Sequence, residues 1–334
     1  MKRMHPARWG ALLALVVGLP AWAATGSTPP PPEFEAHHVT DGLGRDITYY
    51  VSHPPKPAPL LLLIQGSGCI PAWTRDSQGR VASTIFMAWP AQREARFTVL
   101  IVDKPFATDG SNPPGTALGC SRAFNRDFSA DRWLQALLAS LTDARRLPWV
   151  DRSRTLVFGH SEGSIMAALV AGHDPEVTDV VAFSGSGTNQ LFDLFAQAYE
   201  RCFDRSACLK DLEDQARAIN AKPDSGDDFA WGHPYKRWSS FFRVFPEQEL
   251  LHSKARVYIG GGTSDRNMPV LSMEVAAAAL IGAGRDVTVR RAPDADHALN
   301  SATTTTESEY RRALAWFWGE PLPESSLPAT AKGF

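Results

Sequence analysis

A strand-like run, Thr155-Leu156-Val157-Phe158, leads into Gly159-His160-Ser161-Glu162-Gly163, and apolar residues Ile165, Met166, Leu169 and Val170 follow at helical spacing. This is a G-x-S-x-G pattern in strand-turn-helix context. A serine hydroxyl is a weak nucleophile and attacks a carbonyl only when it is projected from its surroundings and deprotonated by a neighbour. A tight turn between strand and helix projects it, at the cost of strained backbone angles, and glycines on either side let the two elements approach. The helix that starts beneath the serine offers free backbone N–H groups and a positive dipole end to a developing oxyanion.

Such a serine needs a base, and the base needs an orienting acid. After the strand-like Arg256-Val257-Tyr258-Ile259 comes Gly260-Gly261-Gly262-Thr263-Ser264-Asp265, which places Asp265 in a loop at the carboxyl end of a strand. After Val287-Thr288-Val289 comes Pro293-Asp294-Ala295-Asp296-His297, which places His297 in the next such loop. Open α/β sheets gather their sites at that edge. Asp294 and Asp296 compete with Asp265 for the acid's role, but near neighbours in a loop rarely face one another across an imidazole, so Asp265 is preferred. His160 is expected to pack against or support the turn. A Glu162 carboxylate aimed inward would repel an oxyanion, so it is expected to turn away or pair with a basic residue, and no catalytic step falls to its side chain.

From about Asp46 to Phe317 the chain resembles the α/β-hydrolase superfamily, in particular its esterases and its prolyl-oligopeptidase-like members. The resemblance rests on the serine turn, on an Asp followed four residues later by Pro (Asp265 to Pro269), on the late loop histidine His297, and on the order Ser, acid, His. It implies Ser161 as nucleophile, His297 as general base and then acid, and Asp265 as the group that fixes the imidazole. It also implies an oxyanion hole made by the N–H of Glu162 and by one from the loop Gln65-Gly66-Ser67-Gly68-Cys69. Ser67 is the preferred second donor, with Gly66 or Gly68 next. Gln65 stands where the family commonly has histidine, but backbone donation does not depend on that side chain. The expected activity is cleavage of a carboxylic ester through an acyl-enzyme on Ser161, with no metal and no organic cofactor. Two alternatives are a serine peptidase of prolyl-oligopeptidase-like type without the N-terminal propeller, and a catalytically silent binding module of the same fold.

The elements that must position these residues alternate. Apolar or β-rich runs occur at 46–52, 59–64, 97–102, 155–158, 177–183, 255–259 and 287–289, and helical spacing occurs at 129–145, 161–171, 270–282 and 307–317. Alternation of this kind predicts an α/β fold with a mostly parallel central sheet flanked by helices. Thr306 followed by Glu309 suggests a capping box at the start of the last helix. Residues 186–254 break the alternation: they hold eleven aromatics and no evident core strand, and predict an inserted, aromatic-rich helical cap. Most of these aromatics are expected to form the cap's own core. The cation- and aromatic-rich stretch Trp231 to Trp238 is its candidate substrate-facing surface.

Among 334 residues, 34 Lys and Arg stand against 36 Asp and Glu, so no basic field exists to hold a nucleic acid. Lys2, Arg3 and Arg8, an apolar run from Trp9 to Leu19 and Ala21-Trp22-Ala23 predict a signal peptide over 1–23, leaving 31 basic and 36 acidic side chains after cleavage. A Pro-rich leader and the start of the fold then occupy 24–45, the hydrolase domain 46–320, and a tail 321–334. The protein is accordingly expected to be exported, periplasmic or secreted, with a small ester or acyl substrate and no stable membrane anchor. Oligomeric state is not legible. Four cysteines suit an oxidising compartment and allow three pairings, of which Cys69–Cys120 and Cys202–Cys208 are preferred. No Cys/His spacing fits zinc.

Overall fold

A computed structural model describes residues 28–75, 79, 81–83, 96–107 and 115–321. The predicted signal peptide and nearly all of the predicted tail lie outside the described residues. Among the described residues the strands are β1 Phe34–Thr40, β2 Asp46–Ser52, β3 Ala58–Ile64, β4 Trp73–Arg75, β5 Val81–Ser83, β6 Thr98–Val102, β7 Val150–His160, β8 Asp179–Phe183, β9 Phe229–Ala230, β10 His233–Pro234, β11 Arg256–Gly262 and β12 Val287–Ala292. Eight form one sheet in the order β1-β2-β6-β3-β7-β8-β11-β12, and β4/β5 and β9/β10 are small separate hairpins. From β6 to β12 every pairing in that sheet is parallel; β2 is antiparallel to both β1 and β6.

The run Ala58–Ile64 is buried at every position, as a strand covered on both faces requires. Its side chains divide by parity. Leu60, Leu62 and Ile64 enter one core with Trp133, Ile165, Met166 and Leu280, whereas Leu61 and Leu63 enter a second with Phe158, Phe183, Tyr310 and Phe317. The first core is roofed by the helices Ala130–Ala144, Glu162–His173 and Val270–Gly282, the second by Thr306–Trp318. Arranged in this way, the molecule has a mostly parallel central sheet with helices on both faces.

Two local features go beyond or differ from the sequence pattern. No strand is evident in the sequence between Pro32 and Asp46, yet β1 pairs along its whole length with β2; as an edge strand, only Phe34 of its seven residues is buried, so it carries no apolar alternation. The capping box of the last helix uses Thr305 with Ser308, one residue earlier than Thr306 with Glu309. The carboxylate of Glu309 is instead turned inward onto Arg290, at 2.7 and 2.9 Å.

Residues 186–254 connect β8 to β11, which are themselves adjacent and in parallel register. The connection carries the helices Gln190–Arg201, Arg205–Ala221, Tyr235–Phe241 and Pro246–His252. Its aromatics do not form one separate core. Trp238 and Phe242 pack with Ala216 and Ile219 in a small cluster of their own, while Phe241 joins the main core beside Val244 and Leu250. Cys69 pairs with Cys120 (S–S 2.15 Å) and Cys202 with Cys208 (S–S 2.34 Å). Among the described residues no helix is long and apolar enough to cross a membrane.

Candidate active site

Ser161 sits between the end of β7 and the helix Glu162–His173 with φ 58° and ψ −127°, a conformation that L-residues avoid. The neighbouring packing explains why the turn tolerates only glycine at 159 and 163. A Cβ on Gly159 would lie 2.0 Å from the carbonyl oxygen of Gly163, and one on Gly163 would lie 2.1 Å from that of Ile64. Helix, β7 and β3 thus touch backbone to backbone. The Ser161 N–H is fixed by donating to the Phe183 carbonyl at 2.9 Å on β8.

His297 Nε2 stands 3.1 Å from Ser161 Oγ, and its Nδ1 stands 2.8 Å from Asp265 Oδ2. Because a carboxylate only accepts, Nδ1 carries the proton of a neutral ring and Nε2 presents its lone pair to the hydroxyl. The Asp265 side chain is 2% exposed, and its other oxygen accepts the N–H groups of Asn267 at 2.7 Å and Met268 at 2.9 Å. Both oxygens are therefore directed. The loops after β11 and β12 are stitched together: Ser264 N–H donates to the Ala295 carbonyl at 3.0 Å and Asp294 N–H to Thr263 Oγ1 at 2.7 Å. Asp296 is used within its own turn, accepting the N–H of Asn300 at 2.9 Å.

His160 lies beneath this pair. Its Nε2–H donates to the carbonyl oxygen of His297 at 2.8 Å, and the two rings are 5.1 Å apart. Burial, and then the adjacent His297, push its pKa down to about 4, so it is a neutral strut that holds the backbone of the histidine loop.

The loop after β3 passes close to the serine: a Cβ on Gly66 would lie 3.5 Å from Ser161 Cβ and 3.9 Å from Ser161 Oγ. Ser67 Oγ–H donates to the Gly115 carbonyl at 3.2 Å, and Cys69 ties the end of the loop to Cys120. Glu162, the first residue of the helix, contributes one of the N–H groups that have no acceptor within the helix.

The Glu162 side chain is 1% exposed and lies between two cations. Lys104 Nζ is 2.8 Å from its Oε1, and Arg237 Nη2 is 2.9 Å from its Oε2. Burial alone would raise the pKa of this carboxyl, but Lys104 and Arg237 outweigh it and hold the pKa at about 2. Nothing in the sequence pointed to Lys104 as the partner; it follows β6, a strand with no catalytic motif. The stretch Trp231 to Trp238 turns most of its polar tips inward rather than toward solvent. His233 Nε2–H donates to the Gly115 carbonyl at 3.0 Å, Arg237 holds Glu162, and Trp238 Nε1–H donates to the Ala230 carbonyl at 2.6 Å. Trp231 alone of these aromatics is substantially exposed, at 40%. Among the described residues no cluster of His, Cys, Asp or Glu suits a metal ion.

Comparison with known structures places the fold. An acylaminoacyl peptidase from Pyrococcus horikoshii superimposes with a TM-score of 0.58 at 13% identity, over 90% of this chain and 43% of that one. Dipeptidyl peptidase 4 from Porphyromonas gingivalis gives 0.55 at 14% identity, over 86% of this chain and 35% of that one. Est1E from Butyrivibrio proteoclasticus gives 0.53 at 16% identity, over 85% of this chain and 98% of that one. The chain therefore spans less than half of the two peptidases but nearly the whole of Est1E. A search of curated proteins found no match.

The architecture is the α/β-hydrolase fold. The model of the prolyl oligopeptidase family matches residues 134–320, and the chain belongs to that family. Ser161, Asp265 and His297 all lie inside the matched segment; the loop 65–69 and Lys104 lie outside it.

Proposed function

We propose that the protein is an exported serine hydrolase that cleaves a carboxylic ester through an acyl-enzyme on Ser161. The observation that carries this reading is the unbroken chain of hydrogen bonds from Ser161 Oγ through the His297 ring to Asp265. Ser161 attacks the carbonyl carbon as His297 Nε2 takes its proton, and Asp265 stabilises the resulting imidazolium. The carbonyl oxygen, now an oxyanion, is met by the N–H groups of Glu162 and Ser67. Collapse of the tetrahedral intermediate returns the proton to the leaving alcohol and leaves an ester on Ser161. Water, deprotonated by the same imidazole, then releases the acid.

Ester cleavage is preferred by analogy within a fold that hosts many esterases. Amide cleavage is the second reading, favoured by the family match and by the peptidases among the structural neighbours. Residues 186–254 are proposed to control which acyl and alcohol groups are accepted. Export is supported by the signal-like first 23 residues and the two paired sets of cysteines. Steady-state rates on a short acyl ester beside a dipeptide amide test the choice of substrate. A higher kcat/KM on the amide would replace the esterase reading with the peptidase one. Loss of residues 1–23 from protein recovered outside the cytoplasm is the outcome expected of export, and retention in the cytoplasm with an intact N-terminus would contradict it.

A further inference from the structure

Lys104 is 1% exposed and follows β6 by two residues, with its Nζ at the meeting point of three segments. It lies 2.7 Å from the Gly66 carbonyl oxygen, 3.2 Å from that of Gly68 and 2.8 Å from Glu162 Oε1. A neutral amine has two N–H groups to give and an ammonium three, so three acceptors require the charged form. The Phe128 ring face, 4.6 Å from the nitrogen, covers another side. Burial lowers the pKa of this lysine, and Glu162 opposes that shift. A buried cation held in this way is costly to keep, which calls for a use beyond stability.

Peptide geometry supplies one. In a trans peptide the N–H points opposite to the preceding carbonyl, and the described residues contain no cis bond. With the Gly66 oxygen drawn onto Lys104, the Ser67 N–H must face away from the lysine. Gly66, beside it, faces the nucleophile: a Cβ built on it would lie 3.5 Å from Ser161 Cβ. Through Glu162 the same ammonium is tied to the first residue of the helix that begins at the nucleophile. Arg237 completes the arrangement from the inserted segment, holding the other Glu162 oxygen with Nε at 3.1 Å and Nη2 at 2.9 Å.

We propose that Lys104 is a positioning residue for the oxyanion hole, whose ammonium fixes the Gly66–Ser67 peptide plane and locks that loop to the start of the Ser161 helix. This rests on the hydrolytic reading of Ser161. Lys104 touches no reacting atom; it acts by keeping two backbone donors aimed at a charge that exists only in the transition state.

Two variants separate positioning from mere structural support. Lys104→Met leaves Glu162 paired with Arg237, one negative with one positive charge, and so costs little stability beyond the lost hydrogen bonds. It is expected to lower kcat on a short acyl ester by about 10²-fold with KM changed by no more than a few fold. Glu162→Gln leaves two buried cations without a carboxylate but keeps an oxygen for Lys104 and leaves Gly66 and Gly68 held. It is expected to lower the unfolding midpoint more than Lys104→Met, yet to lower kcat less. Opposite rank orders in kcat and stability support the proposal; the same rank order in both, or wild-type kcat in Lys104→Met, overturns it. Should either variant fail to fold, a crystal structure of the wild-type phosphonate adduct decides. The phosphonyl oxygen within hydrogen-bond distance of Ser67 N and Glu162 N, with Lys104 still on the Gly66 carbonyl, supports the proposal; that oxygen bound elsewhere refutes it. A wild-type enzyme that neither turns over ester or amide nor reacts with a fluorophosphonate would instead remove the hydrolytic reading itself.

Discussion

At the scale of single residues, the Asp265–His297–Ser161 chain makes a directional claim: the carboxylate sets which imidazole nitrogen carries the proton. Asp265→Asn would keep the shape but let the amide NH₂ face Nδ1, favouring the tautomer that points a hydrogen, not a lone pair, at Ser161. A fall in kcat on the order of 10⁴-fold is expected, with little change in thermal midpoint; retention of more than a tenth of wild-type kcat would contradict the assignment. The meeting of Ser161, His297 and Asp265 in space was legible because each follows a recognisable strand and their order along the chain is informative. Lys104 was not legible. A lysine after an apolar strand looks like an ordinary surface residue, and only the fold shows that β6 lies beside β3, which brings Lys104 under the loop 66–68. The fate of the Glu162 side chain was legible only as a need for a cation, because the sequence does not say which of the 34 basic residues answers it.

At the scale of elements, the site depends on close backbone approach at one turn. Gly163→Ala would drive a methyl into the Ile64 carbonyl, and neither backbone can yield without opening the β3–β7 pairing. A loss of several kcal/mol is expected in urea unfolding, and a loss under about 1 kcal/mol would show that the turn is looser than described. The Cys69–Cys120 link closes a loop with a sequence separation of 51, which in a chain-entropy account contributes about 4 kcal/mol. Replacing both cysteines by serine is expected to lower the unfolding midpoint and to reduce kcat, because one end of the link is the end of the 65–69 loop; an unchanged kcat would separate the link from the site. Strands buried on both faces, such as β3, were readable from continuous apolar runs. The edge strand β1 was not, because an exposed strand paired on one side has no pattern to impose. The capping box was misplaced by one residue because Thr305 and Thr306 are equally good caps locally. The choice between them was made by Glu309, whose pairing with Arg290 requires it to point inward.

At the scale of the whole molecule, several buried groups bias stability in one direction with pH. Burial depresses the pKa of His160 to about 4 and of His233 to about 3, so both stay neutral in the folded state while the unfolded chain takes up protons below about 6.5. The unfolded state then binds more protons, and stability falls as pH drops from about 6.5 toward these folded values. Glu162 adds to the same trend lower down. Its pKa of about 2 lies below the unfolded value of 4.5, so its contribution is complete above the latter and is lost as pH falls between the two. Asp193 opposes this between about pH 6 and 3.8, because burial raises its carboxyl to about 6 and the folded state then binds the extra proton. The two histidines outnumber it, so a shallow net acid lability is expected in thermal melts below about pH 6.5, steeper once Asp193 is protonated in both states. His233→Asn should weaken that dependence between pH 6.5 and about 4, and an unaltered slope would show that the ring is not held neutral. The division of the 186–254 aromatics between a small cluster and the main core was beyond the sequence, because composition gives the amount of apolar surface but not which face of the sheet receives it.

Covalent capture by a fluorophosphonate, followed by mass spectrometry of the digested protein, tests the central claim most directly. One adduct on Ser161 is predicted, absent in Ser161→Ala and formed more slowly by orders of magnitude in His297→Ala. Failure of the folded wild-type protein to react, or an adduct on a different residue, would contradict it.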